Sequence, residues 1–314
     1  MLASPQQQQL VKIATWASIL VAVSLIILKT WAWQTTASVS LMASLLDSLM
    51  DAVASVINFF AVRYAMMPAD EDHRFGHGKA ESLAGLAQAT LIGFSVIWLF
   101  IQSADRIMNP QPIAHTDIGI MVMLVSIVAT AALVLGQRYV VKRTQSNAVA
   151  ADSLHYFSDL LMNASVIVAL LLSAWGWQGA DAWLAIIIGF YVLHSAWEIG
   201  KNSMHLLLDR ELEESDRTLI SNTVLQHQGV LGMHDLRTRQ SGYTKFVQLH
   251  LELPDKMPLI EAHIIADAVE ASIMAVMPNA EVIVHLDPIS VVPSEDHAGM
   301  DRVVSLEQAE QHQP

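Results

Sequence analysis

Six long apolar runs, separated by short polar breaks, fill roughly the first two thirds of the chain. A helix needs about 20 mostly apolar residues to span a bilayer, and each run reaches that length. The runs cover residues 10–33, 39–66, 80–108, 118–141, 148–175 and 182–208. The breaks carry turn or charge signals, such as MMPADEDHRFGHGK and KRTQSN. The pattern therefore predicts an α-helical membrane domain with six transmembrane helices.

After Asp209 the pattern changes to shorter amphipathic segments. ELEESDRTLISNTVLQHQ predicts a helix, and LGMHDLRTRQ and TKFVQLHLEL predict two strands around a hairpin turn at Gly242. PLIEAHIIADAVEASIMAVM predicts a second helix, and AEVIVHLD a last strand. The order αββαβ predicts a small α+β domain with its helices on one side of a sheet. We therefore expect a six-span domain at 1–208, a cytoplasmic domain at 209–290 and a flexible tail at 291–314.

Composition agrees with a membrane protein. Hydrophobic residues make up 53% of the chain and charged residues 15%, whereas soluble domains have about 25% charged residues. The chain contains no cysteine, which excludes disulfides and thiolate metal sites. The net charge is −13, and nucleic acid as a partner would need a basic patch. The Gln-rich start lacks the features of a signal peptide, so we expect the first apolar run to remain as an anchor.

Lysine and arginine predict the orientation in the bilayer. Lys12 lies at the start of the first run, and the others concentrate in or beside the breaks after the second, fourth and sixth runs. The opposite breaks, around 34–38, 109–117 and 176–181, contain none, although Lys29 and Arg106 lie nearby. The positive-inside rule therefore places both termini in the cytoplasm, which agrees with an even number of spans.

Two carboxylates, Asp47 and Asp51, are the only charges between residues 38 and 61. Their spacing puts them on one face of the second helix, and the same spacing puts His155 and Asp159 on one face of the fifth. A carboxylate in the middle of a transmembrane helix costs about 2.5–3.5 kcal/mol. Polar contacts between helices would be a structural explanation, but Ser, Thr or Asn would serve that purpose at lower cost.

These four side chains predict a single metal site where the two helix faces meet. Without a cation, three carboxylates would repel one another and take up protons. Four nitrogen and oxygen ligands suit tetrahedral Zn²⁺, whereas Mg²⁺ prefers six oxygens; Fe²⁺, Mn²⁺, Co²⁺ and Cd²⁺ remain alternatives. Metal binding requires deprotonated ligands, so we expect exchange of metal for protons. The imidazole of His155 is the natural group to titrate near neutral pH.

A second ligand set lies in the break after the second run. Asp70, His73 and His77 have the spacing DxxHxxxH, and Gly76 and Gly78 permit a tight turn. This pattern is compatible with a compact metal site. The alternative is a solvated polar loop.

The last domain holds further candidate ligands. These are His234, His250, His263, His285 and Asp287. A turn near Gly242 would place His234 opposite His250, and His285 shares a strand face with Asp287. His263 would project from the second helix. The pairs predict a metal site, binuclear if Asp287 bridges two ions; scattered surface histidines are the alternative.

Two charged residues mark the predicted cytoplasmic edge of the membrane. Lys79 begins the third run and Asp209 follows the sixth. A Lys–Asp pair at this level can link helices. The alternative is a lysine that simply extends to the interface.

Four motifs together resemble the cation diffusion facilitator family: DSLMD, HYFSD, HRFGHGKAES and HDLRTRQSG. The resemblance extends over residues 10–293. It implies a homodimer in a bacterial inner membrane, with a metallochaperone-like cytoplasmic domain in each protomer. It also implies transport at the Asp47, Asp51, His155 and Asp159 set, a loop site at Asp70, His73 and His77, and a binuclear site at the dimer interface formed by His234, His250, His263, His285 and Asp287.

The same resemblance implies two further roles and one departure. Lys79 and Asp209 match a charge interlock that holds the dimer together, and Leu154 matches a hydrophobic gate. Leu286 departs from relatives that have a polar side chain there, which predicts a weaker second ion in the cytoplasmic centre.

These observations predict a proton-coupled exporter of divalent metal, Zn²⁺ first, rather than an enzyme. The cytoplasmic centres would hold structural Zn²⁺, stabilise the dimer and sense metal. An intramembrane aspartyl protease would need two facing carboxylates that share a proton, normally from separate helices. A metal channel would favour weak rings of ligands, and a passive sensor would not need six spans.

Overall fold

The computed structural model of the chain describes residues 5–36, 39–108, 117–174 and 180–292. The chain divides into two compact units, Ser4–His205 and a second that begins at Leu206. From residue 293 onward, the predicted tail lies outside the described residues.

The first unit consists of long helices, and this confirms the α-helical membrane fold. They are α1 (Pro5–Thr36), α2 (Val39–Ala65), α3 (Lys79–Met108), α4 (Asp117–Thr144), α5 (Asn147–Ala174) and α6 (Ala180–Leu207). Over the described residues, all except α5 are long and apolar enough to span a bilayer. α5 has 28 residues, and the sixth span stays a prediction.

Side chains in this unit are distributed as a lipid environment requires. Large apolar residues such as Ile27, Trp98 and Phe190 are exposed on the outside. Many buried positions between the helices are small or polar, among them Ser18, Ser55, Asn58, Gln137 and Ser203. Such residues allow close approach of helices and hydrogen bonds between them.

The second unit has the predicted order αββαβ. Its elements are α7 (Glu214–Leu225), β1 (Gly232–Ser241), β2 (Thr244–Leu253), α8 (Leu259–Val276) and β3 (Ala280–Pro288). β1 and β2 are antiparallel, and β3 adds parallel to β2, giving the sheet order β1-β2-β3. Gly242 has φ +58° in the hairpin turn, a conformation that glycine adopts without strain.

A β-bulge sets the register of this hairpin. Near the turn, Ser241 pairs with Thr244, and the ladder is shifted between His234 and Arg237. The shift places His234 opposite His250; an unbroken ladder from the same turn would pair His234 with Leu251 instead. The bulge includes Asp235, which has φ +48°. A bulge of one extra residue re-aims side chains in this way.

The core of this unit lies between the sheet and its two helices. Ile220 and Val224 come from α7, Leu249 from β2, and Val269 and Ile273 from α8. All of these are fully or almost fully buried. The helices therefore cover one face of the sheet and leave the other face to the candidate ligands.

Candidate metal centres

The intramembrane centre joins α2 and α5. Asp51 Oδ1 lies 2.9 Å from His155 Nε2, and Asp159 Oδ2 lies 3.9 Å from the same nitrogen. One ligand atom from each residue lies within 4.8 Å of the others. Since one divalent ion binds such atoms at about 2.0–2.2 Å, these three side chains can hold it between them with small adjustments.

Asp47 does not belong to this compact group. It lies one helical turn before Asp51, about 6 Å along α2. It still interacts electrostatically with Asp51 and His155. The structure thus brings together three of the four side chains predicted for the transport site.

Buried hydrogen bonds fix α5 against three other helices. The hydroxyl groups of Tyr156 and Ser55 lie 2.8 Å apart and connect α5 to α2. Asp152 accepts hydrogen bonds from Ser18 Oγ of α1 at 2.6 Å and from Gln137 Nε2 of α4 at 2.7 Å. These contacts position the helix that carries His155 and Asp159.

A buried carboxylate from α3 covers the start of α5. Glu81 makes hydrogen bonds with the side chain of Ser146 and with the backbone N–H groups of Asn147 and Ala148. Carboxylates are stabilised at helix N-termini because the first N–H groups lack partners within the helix. α5 is therefore fixed at its end as well as along its length.

Lys29 is a buried charge near the centre that the sequence analysis did not include in the site. Its side chain is 8% exposed, and Nζ donates to the Ser44 carbonyl at 3.1 Å and to Ser48 Oγ at 2.6 Å. The signal in the sequence is a lysine inside an otherwise apolar run. Charged residues at such depth usually mark a functional site.

Leu154 precedes His155 and is buried. It belongs to an apolar cluster whose other buried members come from α3 and α6: Ile92, Val96, Val192 and Ala196. A hydrophobic barrier beside the centre is compatible with this packing, and the gating role stays a prediction.

The loop candidates form a second compact group. Asp70 Oδ1 accepts hydrogen bonds from the His73 backbone N–H at 2.6 Å and lies 3.2 Å from His73 Nδ1. Asp70 Oδ2 lies 3.3 Å from His77 Nε2. The His73 backbone hydrogen bond, first among the causes, lowers the pKa of Asp70 below its usual range. The loop thus holds two imidazoles around an ionised carboxylate.

His77 is the inner residue of this loop group. It is buried beside the ring of Tyr64, whose centroid lies 4.5 Å away, and its Nδ1 has no hydrogen-bond partner. Gly76 precedes it with φ +76°, which favours glycine. Burial and the glycine turn orient the ring toward Asp70.

The cytoplasmic centre is built on the sheet. Asp287 Oδ2 lies 2.6 Å from His250 Nδ1 and 3.5 Å from His234 Nε2. The other oxygen, Oδ1, lies 3.2 Å from His285 Nε2. Asp287 therefore contacts three imidazoles through its two oxygens, as a bridging ligand of a binuclear site would. Its compact ligand group is His234, His250 and Asp287.

Glu252 supports this centre and was absent from the sequence analysis. It is 3% exposed, and Oε1 lies 3.0 Å from His234 Nδ1. The carboxylate thus orients His234 so that Nε2 faces Asp287, as outer partners of metal-binding histidines do. Gly232 leaves room for it, because a Cβ there would lie 2.6 Å from Glu252 Oε2.

Two further residues of this domain lie apart from the compact group. His263 is exposed on α8, and its Nδ1 lies 3.6 Å from Asp267 on the same helix. Leu286 packs against the core on the opposite face of β3 from His285. Within one chain, His263 is therefore not joined to the other ligands, and Leu286 contributes packing.

The interlock residues lie at helix ends. Lys79 is the first residue of α3. Asp209 follows α6 with φ +56°, and its Oδ1 lies 3.4 Å from Arg239 Nη1. The Lys79–Asp209 interlock concerns the dimer and stays a prediction.

Comparison with known proteins identifies the class to which these sites belong. Residues 15–208 match the cation efflux transmembrane domain, and residues 212–289 match the cytoplasmic domain of cation efflux proteins. The chain therefore belongs to the cation efflux family, as the four motifs had indicated, and this is a family of membrane transporters.

Individual relatives match almost the whole chain. It is 49% identical over 294 residues to the cation-efflux pump FieF of Yersinia enterocolitica serotype O:8, covering 94% of this chain and 98% of that protein. The cation-efflux pump FieF of Yersinia pestis (strain Pestoides F) matches to the same extent. Among solved structures, the metal-bound C-terminal domain of the CzcD transporter from Thermotoga maritima is 20% identical, with a TM-score of 0.24, and covers 26% of this chain and 100% of that chain.

Proposed function

We propose that this protein exports divalent metal cations, Zn²⁺ foremost, from the cytoplasm in exchange for protons. The observation that carries the proposal is the Asp51–His155–Asp159 group, which joins two helices of the membrane unit. Membership of the cation efflux family supports export of a metal cation.

The donor set suits an ion that must enter and leave. One imidazole and two carboxylates leave a coordination position open in a tetrahedral site, as exchangeable zinc sites do. Asp47 or water can complete the set, since Asp47 lies one turn away on α2. Fe²⁺, Mn²⁺, Co²⁺ and Cd²⁺ accept the same donors and are alternative substrates.

Protons and metal compete for the same atoms in this centre. His155 Nε2 and Asp51 Oδ1 are hydrogen-bonded at 2.9 Å, and both atoms face the position that a metal ion would occupy. Binding of the ion must displace the proton between them, and protons that arrive from the other side of the membrane displace the ion. This competition is the chemical basis of antiport.

The placement of the ligands on two helices supports alternating access. Asp51 belongs to α2, whereas His155 and Asp159 belong to α5. A relative movement of these helices changes the distance between the ligands, so the same movement that opens one side can weaken metal binding. Leu154 would then close the cytoplasmic side as a hydrophobic gate.

The loop and cytoplasmic centres would bind structural Zn²⁺ with the same nitrogen and oxygen donors. The open face of the sheet beside the cluster has a cavity of about 230 Å³ lined by Asp235, Arg237, Gln248, Leu249, His250, Ile283 and His285. A second copy packed on this face would let His263 or His285 complete the second ion site. We place the homodimer in a bacterial inner membrane with both termini in the cytoplasm.

An intramembrane protease is the alternative that this centre raises, because Asp51 and Asp159 come from separate helices. His155 Nε2 contacts both carboxylates, at 2.9 and 3.9 Å, and an imidazole among carboxylates suits a metal ion better than a pair of carboxyl groups that share one proton. The family of the chain also favours transport over proteolysis.

The test is zinc uptake into proteoliposomes under an imposed pH gradient. We expect zinc to move against protons in the wild type, and Asp51→Asn to abolish this flux while the protein stays folded. Asp72→Asn, an exposed loop carboxylate outside the three ligand groups, is the matched control and should transport normally. Zinc flux that does not depend on the pH gradient would indicate a channel instead. Normal transport by Asp51→Asn would show that the transport site lies elsewhere.

A further inference from the structure

Lys29 is a buried charged group of the membrane unit, and the exchange of metal for protons does not by itself explain why it is there. An ammonium at this depth is costly unless it has partners. Its direct partners, the Ser44 carbonyl and Ser48 Oγ, are uncharged. The compensating negative charges are Asp47, Asp51 and Asp159, with which Lys29 interacts electrostatically.

The two hydrogen bonds fix the ammonium to the ligand-bearing helix. Ser44 and Ser48 lie on α2 at the level of Asp47, and Ser48 directly follows that residue. The short contact of 2.6 Å to Ser48 restrains Nζ on the α1 side of the centre. Because α2 also carries Asp51, the positive charge stays near the carboxylates.

The Lys29 ammonium changes the charge balance of the intramembrane centre. Asp47, Asp51 and Asp159 carry three formal negative charges when ionised, and Lys29 supplies one positive charge. One divalent ion then brings the group to neutrality, and so do two protons. Both exchange partners therefore leave these four side chains without net charge, which lowers the electrostatic cost of holding them inside the membrane unit.

We propose that Lys29 is an internal counter-charge of the intramembrane metal centre, which weakens its binding of a divalent cation and so permits release. This inference rests on the transport function proposed above. The lysine acts through the carboxylates and is not itself a ligand. A neutral residue at position 29 would leave one more negative charge near the ion and would hold it more tightly.

The experiment measures zinc affinity of the full chain in detergent against a fluorescent zinc chelator. Asp70→Ala and Asp287→Ala are present throughout to weaken the other two candidate centres. Lys29→Gln removes the charge and keeps a hydrogen-bond donor for Ser48, whereas Lys29→Arg keeps the charge. We expect Lys29→Gln to lower the zinc Kd by about tenfold or more, because two charges attract or repel strongly in a protein interior. Lys29→Arg should stay near the starting value.

The outcomes separate this inference from the proposed function. If adding Asp51→Ala abolishes zinc binding but Lys29→Gln binds zinc no more tightly than the starting protein, the counter-charge role is wrong and the metal centre stands. If Asp51→Ala leaves binding unchanged, the metal centre itself is wrong. Size-exclusion profiles check folding, and Lys29→Met provides a second neutral variant that must show the same tightening as Lys29→Gln.

Discussion

The hydrogen bond between Ser55 and Tyr156 connects α2 to α5 next to the intramembrane centre. The two hydroxyl oxygens lie 2.8 Å apart, and the residues are 1% and 2% exposed. The Tyr156 hydroxyl also donates a longer hydrogen bond, 3.4 Å, to the Ser18 carbonyl. Hydrogen bonds between transmembrane helices contribute about 0.6 kcal/mol on average and up to about 1.7 kcal/mol. Since both hydroxyl groups are buried and the distance between their oxygens is short, we expect a coupling energy of about 1 kcal/mol.

A double-mutant cycle measures this coupling. Ser55→Ala, Tyr156→Phe and the double variant are unfolded reversibly in mixed micelles, with helix content followed by circular dichroism. Ser24→Ala is the matched control, because the exposed Ser24 hydroxyl bonds only to the Leu20 carbonyl of its own helix; it should change stability by less than about 0.5 kcal/mol. If the two single effects add to the double effect within about 0.3 kcal/mol, the bond does not hold α2 against α5 and the reasoning is refuted.

Further predictions concern the other two centres. Gly232→Ala should displace Glu252 from His234 and weaken zinc binding at the cytoplasmic centre about 10- to 100-fold, as measured by zinc titration of the full chain; unchanged affinity would contradict the supporting role. Asp70→Ala should remove protection of the His73 amide in hydrogen exchange, because that amide loses its side-chain acceptor, whereas retained protection would show that the carboxylate does not order the loop. Because the pKa of Asp70 is lowered in the folded loop, its stabilising effect is present above the usual Asp pKa of about 3.9 and is lost as pH falls through the lower folded value. Loss of amide protection at neutral pH would contradict this.

Local patterns were sufficient to predict the elements and several ligand pairs. The i, i+4 spacing of His155 and Asp159 defines one face of a helix whatever surrounds it. The hairpin is more instructive, because the His234–His250 pair was predicted from a turn centred on Gly242. The structure reaches the same pair through a two-residue turn and a bulge at Asp235, and the sequence pattern did not reveal the bulge.

The sequence did not reveal the residues that support the metal centres through contacts between separate elements. Lys29 lies 19 positions from Ser48 in the sequence, so its partners depend on how α1 lies against α2. Glu252 was read as part of a strand, and its contact with His234 depends on the space that Gly232 leaves. Helix periodicity and the DSLMD motif both predict Asp47 as a ligand, whereas the compact group of the structure contains Asp51, His155 and Asp159.

The most direct test of the account is to count the protons released when zinc binds the intramembrane centre. The full chain with Asp70→Ala and Asp287→Ala is titrated with zinc by calorimetry, at one pH, in buffers of different ionisation enthalpy. We expect the apparent binding enthalpy to vary with the buffer, which shows proton release, and we expect Asp51→Ala to abolish both binding and release. Zinc binding that releases no protons, or that persists unchanged in Asp51→Ala, would contradict exchange of metal for protons at Asp51, His155 and Asp159.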